Sequence, residues 1–200
     1  MKDLFGKAIL DFQTNNSPED IVTETNISEA DEMEVAYLFR SFDQMPKLEQ
    51  EALQLSKGKI LDIGCGAGSH SLHLQENNFD VTAIDISENA IKACQLRGLK
   101  NAKVQNLLDI EDEKFDTILL LMNGTGIFGT LNETSKYLQK LKSLLNPNGQ
   151  ILIDSSDIIY MFDEDDDGSY LVPANQYYGE LTFTISYKNQ TEEPFPWLYL

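Results

Sequence analysis

The segment Leu61-Asp62-Ile63-Gly64-Cys65-Gly66-Ala67-Gly68 holds the residue types most able to do chemistry. Gly64 and Gly66 have no Cβ, so the backbone there can turn sharply and approach a ligand closely. Gly68 lets a following helix start close to the strand before it. Asp85 stands 21 residues after Gly64. A carboxylate at that spacing can accept from two ribose hydroxyls. A dinucleotide turn, G-x-G-x-x-G, needs its third glycine at position 69, where Ser69 stands; the spacing here is G-x-G-x-G. Asp62 lies two residues before the first glycine. A carboxylate beside a pyrophosphate is unfavourable, and beside an ammonium or sulfonium it is favourable. The turn therefore reads as built for a cationic, phosphate-free cofactor.

Other residue types carry weaker signals. His70 and His73 are the only histidines and lie at i and i+3, with no third metal ligand nearby in sequence; packing roles are expected of them, and no metal. Asn123 is followed by Gly124, Gly126 and Gly129, which make either a flexible loop over the site or a plain connection. Asn123, Asp154, Asp157 and Tyr160 are candidate bases or positioning groups. Cys65 fills a small position in the turn and is not read as a nucleophile. Asp62 and Asp109 have cap or turn roles as alternatives. The run Asp163-Glu164-Asp165-Asp166-Asp167 is read as a solvated loop, since consecutive acids point in different directions.

The elements that must position these groups follow from periodicity. Residues 59–63 are a short apolar strand ending in the glycines, and the stretch after 70 is helical. Residues 79–85 are a second strand, 88–97 a helix and 102–106 a weak third strand. Residues 115–121 are a strong fourth strand without alternation, as a strand buried on both faces should be. Residues 134–145 are an amphipathic helix with Tyr137, Leu138, Leu141 and Leu144 facing in, and 150–154 are a fifth strand. Strict alternation of strand and helix predicts a mostly parallel sheet covered on both faces. Residues 177–187 alternate as a sixth strand. The first 56 residues read as a helical extension: a helix on Leu4, Phe5, Ala8, Ile9 and Phe12, a polar aperiodic stretch over 17–34, and a second helix over 32–42. That extension is either packing or a lid over a pocket.

The 200 residues include 33 acids against 15 Lys and Arg, a net charge of −18. Binding to phosphate backbones depends on cations, so nucleic acid and anionic membranes are excluded as partners. An apolar content of 42% argues for an ordered core. Two cysteines make no disulfide framework. No signal peptide or membrane-length apolar run is present. The expectation is a soluble, cytoplasmic protein.

Leu61–Gly68, Ile84-Asp85-Ile86-Ser87, Asn106-Leu107-Leu108-Asp109, Phe115-Asp116-Thr117-Ile118 and Leu144-Leu145-Asn146-Pro147-Asn148-Gly149-Gln150 together resemble the class I S-adenosylmethionine-dependent methyltransferases. The resemblance runs over residues 57–154. It implies a Rossmann-like, doubly wound sheet and S-adenosyl-L-methionine as cofactor. It implies that Asp62, Gly64, Cys65, Gly66 and Gly68 surround the methionine part. Asp85 would then hold the ribose, Ile86 the adenine face, and Asp109 with Leu108 the adenine edge. Asn123 would lie near the methyl donor. The chain lacks the Asn- or Asp-Pro-Pro-aromatic tetrapeptide of many nucleic-acid members; its residues are Asn123-Gly124-Thr125-Gly126. With the acidic charge, that implies a small-molecule acceptor with an N, O or S nucleophile.

The family core has seven strands, so C-terminal edge strands are expected to be incomplete in a domain over 57–200. The exposed edge would favour a homodimer. Two rival functions stay open: a cofactor-binding protein without chemistry, and a nicotinamide-dependent oxidoreductase, against which Ser69 and Asp62 both argue.

Overall fold

A computed structural model describes residues 2–200. Helix α1 (Leu4–Thr14) opens them, followed by a hairpin of β1 (Ile21–Thr25) and β2 (Ser28–Met33) and by helix α2 (Lys47–Leu55). Leu4, Ala8 and Ile9 recur at helical spacing and are buried. The Asp3 side chain caps α1 by accepting from the Gly6 N–H at 3.2 Å. Asn15 ends the helix in a left-handed conformation and returns its N–H to Asp11 and Phe12 carbonyls.

The alternating unit follows as β3 (Lys59–Ile63), α3 (Ser69–Glu76), β4 (Asp80–Asp85), α4 (Glu88–Leu96), β5 (Ala102–Val104), β6 (Phe115–Leu120), α5 (Leu131–Ser143) and β7 (Leu145–Ile153). Its sheet is parallel, in the order β5-β4-β3-β6-β7. Ile60 and Leu119 face a layer with Ala52, Leu53 and Leu74. Leu61, Ile118 and Leu120 face the opposite layer with Phe128, Leu141 and Leu144. Both faces are thus covered, which is why β3 and β6 carry no polar alternation. Strand order reverses between β3 and β6, so the ligand crevice falls at their carboxyl ends. No helix among the described residues is long and apolar enough to cross a membrane.

A second sheet is antiparallel. Its strands β8 (Glu180–Tyr187), β9 (Gln190–Thr191) and β10 (Phe195–Leu198) come from the end of the chain. They join the N-terminal hairpin in the order β10-β8-β1-β2, with β9 on β8. Val22 to Thr25 pair with Ser186 to Phe183. The expected sixth strand therefore exists, but it pairs with β1 rather than extending the parallel sheet.

Three further expectations need correction. The extension is not purely helical, because residues 21–33 form the hairpin. The helix expected over 32–42 is the end of β2 followed by a short 3-10 turn, Val35–Phe39. Cross-strand pairing with β8 decides the first point, and a long-range pairing of that kind leaves no local period. Leu138 of α5 was expected to face in; it is 44% exposed, and only Leu141 of that helix is buried.

Candidate cofactor site

Gly64, Gly66 and Gly68 all take positive φ, at 70°, 52° and 80°, a region that side chains disfavour. The N–H groups of Gly64 and Cys65 both donate to the Ile84 carbonyl, at 2.9 and 3.1 Å, which ties the turn to the end of β4. A Cβ at Gly68 would lie 2.8 Å from Cys94 Sγ, and one at Gly64 3.1 Å from Ile127. At Gly66 the nearest side-chain atom, on Ile9, would be 3.9 Å away. Gly68 is therefore fixed by the helix packed behind it, while Gly66 has space in front. Cys65 and Cys94 are buried with their sulfurs 3.9 Å apart. The Cys94 contact and burial push the Cys65 thiol well above its ordinary pKa, so it is no nucleophile.

Three carboxylates stand at or after the carboxyl ends of successive strands. Asp62, in β3, is 2% exposed and accepts from the Ser71 hydroxyl at 2.6 Å. Burial raises its pKa. Asp85 ends β4 and accepts from Gly66 N at 3.0 Å and Ser87 N at 2.9 Å. Burial pushes its pKa up as well, and these two bonds only partly offset that. Asp109 follows β5 in the 3-10 turn Leu107–Asp109 and is exposed, with Leu108 half-buried beside it. Ile86 is 62% exposed, an apolar side chain standing free next to Asp85.

Asn123 and Met122 follow β6 with φ of 60° and 65°, a left-handed pair that Asn tolerates and Met does not favour. Asn123 Oδ1 accepts from the Ser156 hydroxyl at 2.8 Å. Asp154, just past β7, accepts from Gly124 N at 3.3 Å. The structure thus brings Asn123 and Asp154 together. Tyr160 is 72% exposed, and burial raises the hydroxyl pKa of Tyr199. The Trp197 ring of β10 covers Gly126, leaving no room there for a Cβ.

A brace absent from the sequence reading lies behind the turn. His70 and Arg40 both bond to Glu49 Oε2, His70 at 2.6 Å, and all three side chains are buried. Burial raises the Glu49 pKa, but its bonds to His70 and Arg40 outweigh that and the net direction is down. Ser69 donates to the Leu38 carbonyl at 2.7 Å. His73 stacks on Phe42, with centroids 4.1 Å apart. Asp3 accepts from Ser87 Oγ and Asn89 Nδ2, at 2.9 and 2.8 Å. Nothing local marks Arg40, Glu49 or Asp3, because each meets its partner only through the fold.

The arginine beside the turn is already engaged. Arg97, the nearest guanidinium, bonds to the Ala67 carbonyl and to Ser69 and lies over the Phe39 ring. Space before Gly66, carboxylates at or after the ends of three strands and an Arg97 already engaged fit a cationic nucleoside cofactor. A groove lined by Lys114, Lys142, Leu145 and Gly149 lies at the other end of the sheet, at the start of β7, and takes no part.

Fold and site together define a methyltransferase domain, and that domain's family model matches residues 54–193. The chain belongs to the class I S-adenosylmethionine-dependent methyltransferase family. It is similar to a Bacteroides fragilis S-adenosylmethionine-dependent methyltransferase crystallised with S-adenosyl-L-homocysteine, at 45% identity and a TM-score of 0.91. That match covers 100% of this chain and 81% of the other. It is 30% identical over 145 residues to the provisionally named methyltransferase YqeM of Bacillus subtilis, covering 65% of this chain and 58% of that protein. A ubiquinone biosynthesis O-methyltransferase of Xanthomonas euvesicatoria is 27% identical over 109 residues, covering 50% and 44%. The chain thus spans about half the length of these curated relatives.

Proposed function

We propose that the protein transfers a methyl group from S-adenosylmethionine to an N, O or S nucleophile of a small molecule. The observation that carries this is the positive-φ glycine turn after β3, whose Gly66 N–H is held by Asp85 at the end of β4. Bound there, the cofactor supplies an electrophilic methyl on a sulfonium. Asp62 and the Gly64–Gly66 backbone hold the aminoacyl end, with Cys65 and Gly68 shaping the turn. The Asp85 carboxylate takes the ribose hydroxyls, Ile86 covers one adenine face, and Leu108 and Asp109 take its edge. Asn123, Asp154 and Tyr160 line the acceptor side, where they orient the nucleophile and exclude water.

The excess of acids disfavours nucleic acid as acceptor. Free Cys65 and Cys94 suit a reducing cytoplasm. The outer edge of β7, which pairs only with β6 among the described residues, suits self-association as a homodimer. Calorimetric titration with S-adenosylhomocysteine and, separately, NAD tests the cofactor. The first binds to the wild type and is lost in Asp85→Ala, and the second does not bind; binding of NAD alone would sink the reading. Radiolabelled methyl transfer to an acceptor panel then separates an enzyme from a protein that only binds.

A further inference from the structure

The glycines that let the turn after β3 form also allow it many other shapes, so bonds to its backbone must hold it. Those bonds are spread along the turn. At its start, Gly64 N and Cys65 N donate to the Ile84 carbonyl, and Gly66 N donates to Asp85. The Gly66 carbonyl accepts from the Cys94 thiol at 3.2 Å, and Gly68 N donates to the Cys65 carbonyl at 2.8 Å. The Ala67 carbonyl has a single partner among the described residues, Arg97 Nη1. Ala67 is 3% exposed, so solvent does not take that partner's place. Arg97 is the C-cap residue of α4 and is half-buried. Its Nη1 also donates to Ser69 Oγ at 3.1 Å, and Ser69 Oγ donates onward to the Leu38 carbonyl at 2.7 Å. The guanidinium lies over the Phe39 ring, 4.8 Å from its centroid, and Phe39 packs on Phe12 of α1 with centroids 4.6 Å apart. One side chain thus ties the residues on both sides of Gly68 to the N-terminal segment.

We infer that Arg97 is a positioning residue for the cofactor: it holds the Ala67–Ser69 end of the glycine turn in the shape that receives S-adenosylmethionine. This rests on the cofactor site read at the turn above and adds a residue to it. Arg97 acts through Ala67 and Ser69, not on the ligand. Without its guanidinium the buried Ala67 carbonyl has no donor, and the backbone turns to find one. Gly66 and Gly68 flank Ala67 and offer little resistance, because each takes up new φ and ψ readily. Part of the population then holds the turn in shapes that do not fit the ligand. Affinity falls with the fraction of molecules that stay competent. A role in packing alone makes a different demand: it needs the aliphatic stem of Arg97 and not its donors.

The test uses the full chain and titrates S-adenosylhomocysteine by calorimetry well below the melting temperature, so that binding is read on folded protein. The wild type binds; if it does not, the cofactor reading itself fails and this inference falls with it. Arg97→Met keeps an apolar stem and removes every donor. It weakens S-adenosylhomocysteine about tenfold at unchanged stoichiometry. Arg97→Lys recovers most of that loss, because both bonds leave one nitrogen and an ammonium can donate to both acceptors. Thermal melts of the two variants record stability separately. A methionine variant that melts lower yet binds as tightly as the wild type overturns the inference. So does a lysine variant that binds no tighter than the methionine one. If Arg97→Met does not fold, Arg97→Gln, whose shorter amide does not span both acceptors, takes its place under the same two criteria.

Discussion

At the scale of single residues, burial of charge separates function from stability. Asp62 is buried with one hydroxyl donor, and its pKa lies above the ordinary carboxylate value. A carboxyl of that kind favours the folded state most when protonated. Its contribution is full below the unfolded pKa and is lost as pH rises through the folded one. Ionising the buried carboxyl therefore costs stability, and an amide would avoid that cost. Asp62→Asn should therefore raise Tm at pH 7 by about 3 °C and weaken S-adenosylhomocysteine about tenfold or more. Thermal melts and calorimetry on the same preparation check both. A variant that loses stability and keeps binding would place Asp62 in a purely structural role. Gly126 gives a second residue-scale case. Its Cβ position is filled by the Trp197 ring, so Gly126→Ala displaces that ring and costs about 1–3 kcal/mol in urea unfolding. A neutral alanine would show that β10 does not hold this loop.

Among the elements, the parallel unit was legible, whereas the alternation of β8 was legible but its pairing with the N-terminal hairpin was not, for a physical reason. Each βα step writes its own pattern: Ile60, Leu61 and Ile63 of β3 and Ile118, Leu119 and Leu120 of β6 are apolar without alternation because both faces are covered. The glycine turn was legible for the same cause, since positive φ at three nearby positions demands glycine locally. Residues 28–33, Ser-Glu-Ala-Asp-Glu-Met, carry no strand pattern and are mostly exposed; only pairing with β1 makes them a strand. The brace between Arg40, Glu49 and His70 was equally hidden, because its members come from three separate segments. It fixes α2 and the preceding turn to the first turn of α3. Glu49→Ala leaves the buried Arg40 uncompensated and should cost about 3–5 kcal/mol, whereas Arg40→Met with Glu49→Leu recovers at least half. Chemical denaturation decides between them. The pKa of Glu49 is lowered, opposite to Asp62. Its stabilisation is full above the unfolded pKa and lost as pH falls through the folded one, so the alanine penalty shrinks in acid.

For the whole molecule, the two ends of the chain close on each other. Leu4 N donates to the buried Glu192 carboxylate at 2.6 Å. Asp11 accepts from Tyr187 and Lys188, at 3.0 and 2.8 Å. Burial raises the Asp11 pKa, and these partners with Asn16 outweigh that and bring it down. Helix α1 packs against α4 as well as β8, so it sits between the parallel unit and the antiparallel sheet, with Ile9 facing Gly66. A division at residue 56 into a lid and a domain therefore becomes a question of cooperativity. The buried side chains of Leu4, Ala8 and Ile9 together contribute on the order of 5 kcal/mol, comparable to the whole stability of a small domain. An element held that firmly should not open alone. We expect a single unfolding transition, coincident by near-UV and far-UV circular dichroism. The α1 amides should exchange hydrogen no faster than those of β6. A lid would behave otherwise: α1 would exchange early, by local opening, and S-adenosylhomocysteine would slow that exchange selectively. Hydrogen exchange read by mass spectrometry, with and without that ligand, distinguishes a fixed wall from a moving one, because only the moving wall makes protection of α1 depend on the ligand.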